Sequence, residues 1–306
     1  MAVSSEIQSL EQINYKSRVK AYLYPIIVII IFSVAFLNYY PMGDQLKIFM
    51  KKNLQGTACR PDFDEIRMEW IMPKLVISDL ALPGGCTGNA GAPLKFSFVK
   101  INFHFISFAP FGFPFKIDTE MNGQPLSIYY VQGFTQRLIR IKDQSIVLSR
   151  LQPLVGGKLK LSGNMTLDFT ALLSNNNSLK ELNFKARSTD LQLPSQNVEG
   201  FTTPNIKVND LYLEADLESP PRINVNKMII GDTNSPMRAN FKGRVDLMEG
   251  GFAFSPINLS GEIAFTEDFK QSVPLVDLFF QNYEQKDGFY QIRLGGTLGQ
   301  PRLMTP

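Results

Sequence analysis

His104 is the only histidine in the chain, so the side chain most often used for proton transfer and metal ligation has no second copy to work with. It sits among Val99, Ile101, Phe103 and Phe105, on the polar side with Lys100 and Asn102, which reads as a solvated strand position. Histidine-based triads, HExxH sites and two-histidine metal sites lose support together. Asp62, Asp64, Glu65 and Glu69 crowd into one stretch, and two facing carboxylates could in principle cleave a glycosidic bond. Arg60 and Arg67 interleave with them, so a surface charge cluster is the simpler reading. The loop Gly84–Gly91 has neither the lysine nor the following helix of a phosphate cradle, and GxGxxG, GxxxxGK[ST] and GxSxG are absent. These residues supply no catalytic centre, and a non-enzymatic protein without a cofactor is expected.

Cys59 and Cys86 are the only cysteines. Cys86 lies in Pro83–Gly88, a loop where a buried core thiol is out of place, although two unpaired small apolar residues remain the alternative. An even pair on the translocated side of a membrane is readily oxidised. Closing a loop of that length would stabilise the fold by about 3 kcal/mol in the chain-entropy treatment. A Cys59–Cys86 disulfide is therefore expected.

That compartment follows from the segment before the cysteines. Residues 21–40, AYLYPIIVIIIFSVAFLNYY, carry no charge. A helix of that length reaches about 30 Å, the thickness of a hydrocarbon core. Tyr22, Tyr24, Tyr39 and Tyr40 match the aromatic belts at headgroup level, Pro25 falls in the first turns, and Pro41 and Gly43 end the segment. A cleaved signal peptide is the rival, but the preceding tail is long for one, the apolar stretch is too extended, and Leu37-Asn38-Tyr39 is no small-residue cleavage site. Lys16, Arg18 and Lys20 precede the span, which predicts a cytoplasmic tail over 1–20, a transmembrane helix over 21–40 and a domain on the far side.

Composition narrows the class further. The 31 basic residues are scattered among 28 acids for a formal charge of +3, and no electrostatic footprint for nucleic acid is visible. The 24 Phe and 41 Gly plus Pro suit many short strands joined by turns. Leu46, Met50 and Leu54 at four-residue spacing predict an amphipathic helix over 44–55, able to cap a sheet or rest on the bilayer, with capping preferred.

Beyond Arg60 the hydrophobic period changes to two. Leu159, Leu161, Met165, Leu167 and Phe169 alternate with Lys158, Lys160, Asn164, Thr166 and Asp168. The same pattern returns around Phe115, Leu211, Leu213, Phe241, Tyr290, Ile292 and Leu294, with further candidates giving about a dozen strands. One-sided alternation favours a largely antiparallel sheet over a doubly wound parallel one. Ser145–Val155 and Pro274–Tyr283 read as brief helices, and the polar stretch Ser174–Ser178 as the boundary between parts 41–173 and 179–306.

The order of short tail, single span, amphipathic helix and alternating strands resembles the AsmA-like envelope proteins. The likeness is carried by Phe63–Gly85, Leu154–Phe169, Phe241–Leu247, Leu259–Phe265 and Gly288–Leu303. More narrowly, the length and closing segment are similar to the type II secretion system protein N family of predatory and spirochaete-like bacteria, although classical members are shorter and lack much of this β-region. The resemblance implies a mainly β protein with a curved sheet, anchored in the inner membrane of a Gram-negative cell with its domain in the periplasm. It implies as partners the lipid bilayer, other secretion-system or envelope proteins and phospholipid acyl chains.

Two functions follow. The domain is an assembly or scaffolding component of the secretion system, docking partners at strand edges, or its apolar sheet face is an open trough for acyl chains. In the trough reading Leu159, Leu161, Met165, Leu167, Leu211, Leu213, Tyr290, Ile292 and Leu294 line one surface. A closed sandwich would produce the same alternation.

Overall fold

The computed structural model describes residues 25, 27–33, 35–36, 42–54, 60–69, 73–83, 93–104, 106–151, 160–176, 178–198, 201–248, 254–273 and 275–304. Described positions between 25 and 36 are helical, and the side chains of Ile29, Ile31 and Phe32 are exposed. Among the described residues no helix is long and apolar enough to cross a membrane. Half of the span expected over 21–40 lies outside those residues, and Cys59 and Cys86 lie outside them altogether.

Helix α1, Met42–Leu54, takes the place of the helix expected over 44–55. Its Leu46 packs against Phe63, Ile66 and Ile77, and Lys47 Nζ donates to the Asp64 carbonyl at 2.7 Å. Gly43 is required here, because a Cβ would overlap the Ile66 carbonyl oxygen. The helix thus covers the first strand.

In chain order the strands are β1 (Glu65–Glu69), β2 (Lys74–Leu82), β3 (Leu94–Phe103), β4 (Ser107–Phe108), β5 (Phe111–Met121), β6 (Gln124–Gly133), β7 (Gln136–Val147), β8 (Asn164–Ser174) and β9 (Leu179–Ser188). Short strands β10 (Leu191–Leu193), β11 (Gln196–Val198), β12 (Phe201–Thr203) and β13 (Ile206–Val208) form an excursion. The sheet resumes with β14 (Leu211–Ser219), β15 (Arg222–Ile230), β16 (Met237–Asp246) and β17 (Ile257–Phe265). Helices α2 (Glu267–Ser272) and α3 (Leu275–Phe280) then precede β18 (Gln285–Lys286), β19 (Phe289–Thr297) and β20 (Gln300–Met304).

One 16-stranded antiparallel sheet follows chain order almost throughout, passing directly from β9 to β14. Its terminal strands β1 and β20 do not pair, so the sheet is open rather than a barrel. Alternate turns fall at opposite ends of the strands. One end, the turn end, carries the β4–β5, β6–β7, β8–β9, β14–β15, β16–β17 and β19–β20 connections. The other, the helical end, carries α2, α3 and the β10–β13 excursion.

Several boundaries differ from the sequence expectation. Ser174–Ser178 is the β8–β9 turn, where the Ser174 hydroxyl donates to the Ser178 carbonyl at 3.1 Å, and strands on both sides belong to one sheet. Ser145–Val147 finishes β7 and Leu148–Leu151 forms a 3-10 turn, so where it is described the brief helix read over 145–155 is three residues of strand followed by four of 3-10 helix. The strand read from Lys158 starts at Asn164. Gly163 takes a φ of 110°, and Ser162 bridges to Gln192 instead of continuing the β7 ladder. Leu161 therefore leaves the sheet and packs with Leu148, Leu191 and Val208.

Candidate functional site

Cross-strand partners in an antiparallel ladder share a face, so the register decides where each side chain points. One row runs Phe103, Phe115, Tyr130, Ile139, Ala171, Leu182 from β3 to β9. Another runs Phe169, Phe184, Ala215, Val225, Gly243, Leu259, Leu294, Leu303 from β8 to β20. Residues one step along, such as Lys116, Tyr129, Arg140, Thr170 and Asn183, form a polar row on the opposite face. Twelve of the sixteen strands thus share one apolar face.

Cover over this face is uneven. At the C-terminal strands, Phe241, Val245, Ile257 and Ile292 are buried in a cluster that includes Phe269 of α2 and Val276 and Phe280 of α3. The Phe265 and Phe269 rings stack with centroids 5.6 Å apart, and Phe280 lies 5.3 Å from Tyr290. A second plug forms where β10 and β13 set Leu191 and Val208 beside Met165 and Leu211. Between α1 and this plug much of the face is only half-buried, Thr119 and Met121 of β5 being buried toward its helical end. Ile101, Phe103, Ile117, Phe115, Ile128, Tyr130 and Ile139 are all half-buried, and among the described residues no second sheet of comparable extent exists to cover them.

The nine side chains picked from the sequence divide accordingly. Met165, Leu167, Leu211, Leu213, Tyr290, Ile292 and Leu294 lie on this face. Leu161, Met165 and Leu211 belong to the β10–β13 plug, whereas Leu213, Tyr290, Ile292 and Leu294 belong to the cluster under the helices. Leu159 lies outside the described residues. The more open stretch is built instead by Phe103, Phe115, Ile117, Ile128, Tyr130 and Ile139, which sequence reasoning placed in strands or passed over without assigning them a site. Their signal was present in the alternation, but cover depends on later elements that alternation does not specify.

The polar face consists of cross-strand pairs. The Asp118 carboxylate accepts from the Ser127 hydroxyl at 2.7 Å and from Asn102 Nδ2 at 3.1 Å, with Lys116 Nζ at 3.1 Å. Partial burial pushes this carboxyl up, but Ser127 and Lys116 outweigh it and hold it below the usual range. Lys185 and the Tyr212 hydroxyl hold the Glu214 carboxyl low in the same way, and Arg67 does so for Glu65. The Asp62–Glu69 stretch is a surface charge cluster, with Arg67 gripping Glu65 at 2.6 and 2.7 Å and Glu69 pairing with Lys74 at 2.7 Å. His104 is exposed at the end of β3. A shallow cleft of about 440 Å³ over β16, β17 and β19 is lined on this side by Asn240, Lys242, Ser260, Glu262, Gln291 and Arg293. Among the described residues no group of three His, Cys, Asp or Glu side chains is placed to hold a metal ion.

No family model, curated protein or solved structure matches the chain. What the arrangement offers chemically is a long apolar face on an antiparallel frame, half-buried over β3 to β7 and covered further on.

Proposed function

We propose that the chain is a membrane-anchored, non-enzymatic protein that binds the acyl chains of phospholipids along its apolar sheet face. The observation that carries this is the half-buried apolar stretch from β3 to β7, over which no second sheet of comparable extent lies among the described residues, because a contiguous apolar patch left open to water marks an interaction or ligand-binding surface. Each methylene laid on it gains about 0.8 kcal/mol, so acyl length alone supplies affinity and no charge is needed along the face. The anchor is the uncharged segment 21–40. Following the sequence resemblance, it sits in the inner membrane of a Gram-negative cell with the tail in the cytoplasm and the sheet in the periplasm.

Mass spectrometry of lipids retained by the full chain in mild detergent tests this. Phospholipid retained in stoichiometric amount supports the reading, and a folded chain free of lipid contradicts it.

A second reading, a docking component of the type II secretion system, draws on β20. All five of its residues are exposed, and its outer edge carries no strand among the described residues. Such an edge accepts a partner strand by addition. Disulfide trapping between β20 and co-purified envelope proteins tests it.

A further inference from the structure

We infer that the aromatic turns at the end of the sheet toward which Met42 points form a second, interfacial contact with the bilayer that residues 21–40 enter. The inference rests on the anchored reading.

The β4–β5 and β6–β7 turns carry Ile106, Phe108, Phe111, Phe113 and Phe134, all exposed, with Phe108 at 85% and Phe134 at 64%. Phe111 and Phe134 stack with centroids 5.6 Å apart, and Phe113 lies 6.2 Å from Phe134, so the rings form one patch rather than scattered positions. A contiguous aromatic patch exposed to water marks an interaction surface.

The course of the chain selects the bilayer as its occupant. β1 runs from the helical end at Glu65 to the turn end at Glu69, whose partner is Lys74 across the β1–β2 turn. Gly43 of α1 lies against Ile66, and Lys47 reaches back to Asp64. Met42 is therefore the extremity of α1 nearer the turn end. Phe36 is six residues before Met42, so covalent reach keeps the end of the apolar helix within about 20 Å of it. From β1 to β5 the sheet crosses three strand spacings, about 14 Å. Gly43 is level with Ile66, Ile77, Val99 and Thr119, and Phe111 lies eight residues further along β5, about 26 Å; the patch therefore occupies the end of the sheet toward which the N-terminal extremity of α1 points. Phenylalanine rings lack the polar tip that suits Tyr39 and Tyr40 to headgroup level and insert instead at the headgroup–acyl boundary.

The patch also joins the candidate site. Phe113 and Phe115, two residues apart on β5, share the apolar face. A patch seated in the acyl boundary would bring the half-open stretch directly against lipid, giving chains a route from bilayer to sheet without crossing water.

The test uses the full chain reconstituted in phosphatidylethanolamine and phosphatidylglycerol vesicles containing lipids brominated near the ester end. Phe108→Trp and Phe134→Trp are each made in a Trp70→Phe background, with Asn234→Trp, in the exposed turn between β15 and β16 at the helical end, as the reference position. Tryptophan fluorescence is expected to be roughly halved at the first two positions and unchanged at Asn234. Unquenched Phe108→Trp and Phe134→Trp in a chain that floats with the vesicles and resists alkaline extraction would overturn the contact while leaving the anchor in place. Failure of the chain to float at all would overturn both.

Discussion

The Phe103 and Phe115 rings meet edge to face across the β3–β5 pair, with centroids 5.2 Å apart and an interplanar angle of 76°. Tyr130 continues the row 6.0 Å from Phe115. The three rings hold their places through one another and through the ladder, and all three are half-buried.

Charge placed on this face is expected to act differently in its two regions. Phe241→Glu buries a carboxylate without a partner in the cluster beneath α2 and α3 and should abolish the cooperative melt. Phe115→Glu can turn its carboxylate to water, so the thermal transition should survive while retained lipid falls to background. Circular dichroism melts beside lipid quantification check both.

Gly261 lies between Phe241 and Ile292 in the register, and a Cβ there would overlap the Asn240 carbonyl oxygen and crowd the Phe241 ring. Backbone cannot yield as a flexible side chain can. Gly261→Val is expected to cost about 1–3 kcal/mol, read as a lowered denaturant midpoint with little change in slope.

Asp118 ties β3, β5 and β6 through Asn102, Lys116 and Ser127. Its folded carboxyl is held below the unfolded range near pH 4, so its contribution is present above that pH and is lost as pH falls through the lower folded value. Asp118→Asn should destabilise by about 1 kcal/mol at neutral pH, as expected for a partly exposed ion pair. The gap between variant and parent should close below about pH 4. Urea titrations at neutral and acid pH measure it.

Much of the frame was legible because β5, β14, β16, β17 and β19 alternate cleanly, one face apolar and one wet. β7 was not, since Leu138 is buried on the side opposite Ile139 and its period is blurred. The start of β8 was misplaced because Leu159 and Leu161 keep the alternation past Gly163, where the backbone turns off the ladder. The face shared by Met165, Leu211 and Ile292 was readable from period alone. Which part stays open was not, because that depends on where β10, β13, α2 and α3 settle, a matter of long-range packing.

The central claim is that the apolar face, and not the sheet in general, takes up acyl chains. Ile117 and Lys116 are adjacent in β5 and point to opposite faces. A photoreactive benzoylphenylalanine is placed at one or the other position of the full chain in phospholipid membranes, and lipid adducts are counted by mass spectrometry after illumination. The account predicts abundant adducts at position 117 and background at 116. Equal labelling at the two positions, or none at 117 in a folded chain, would contradict it.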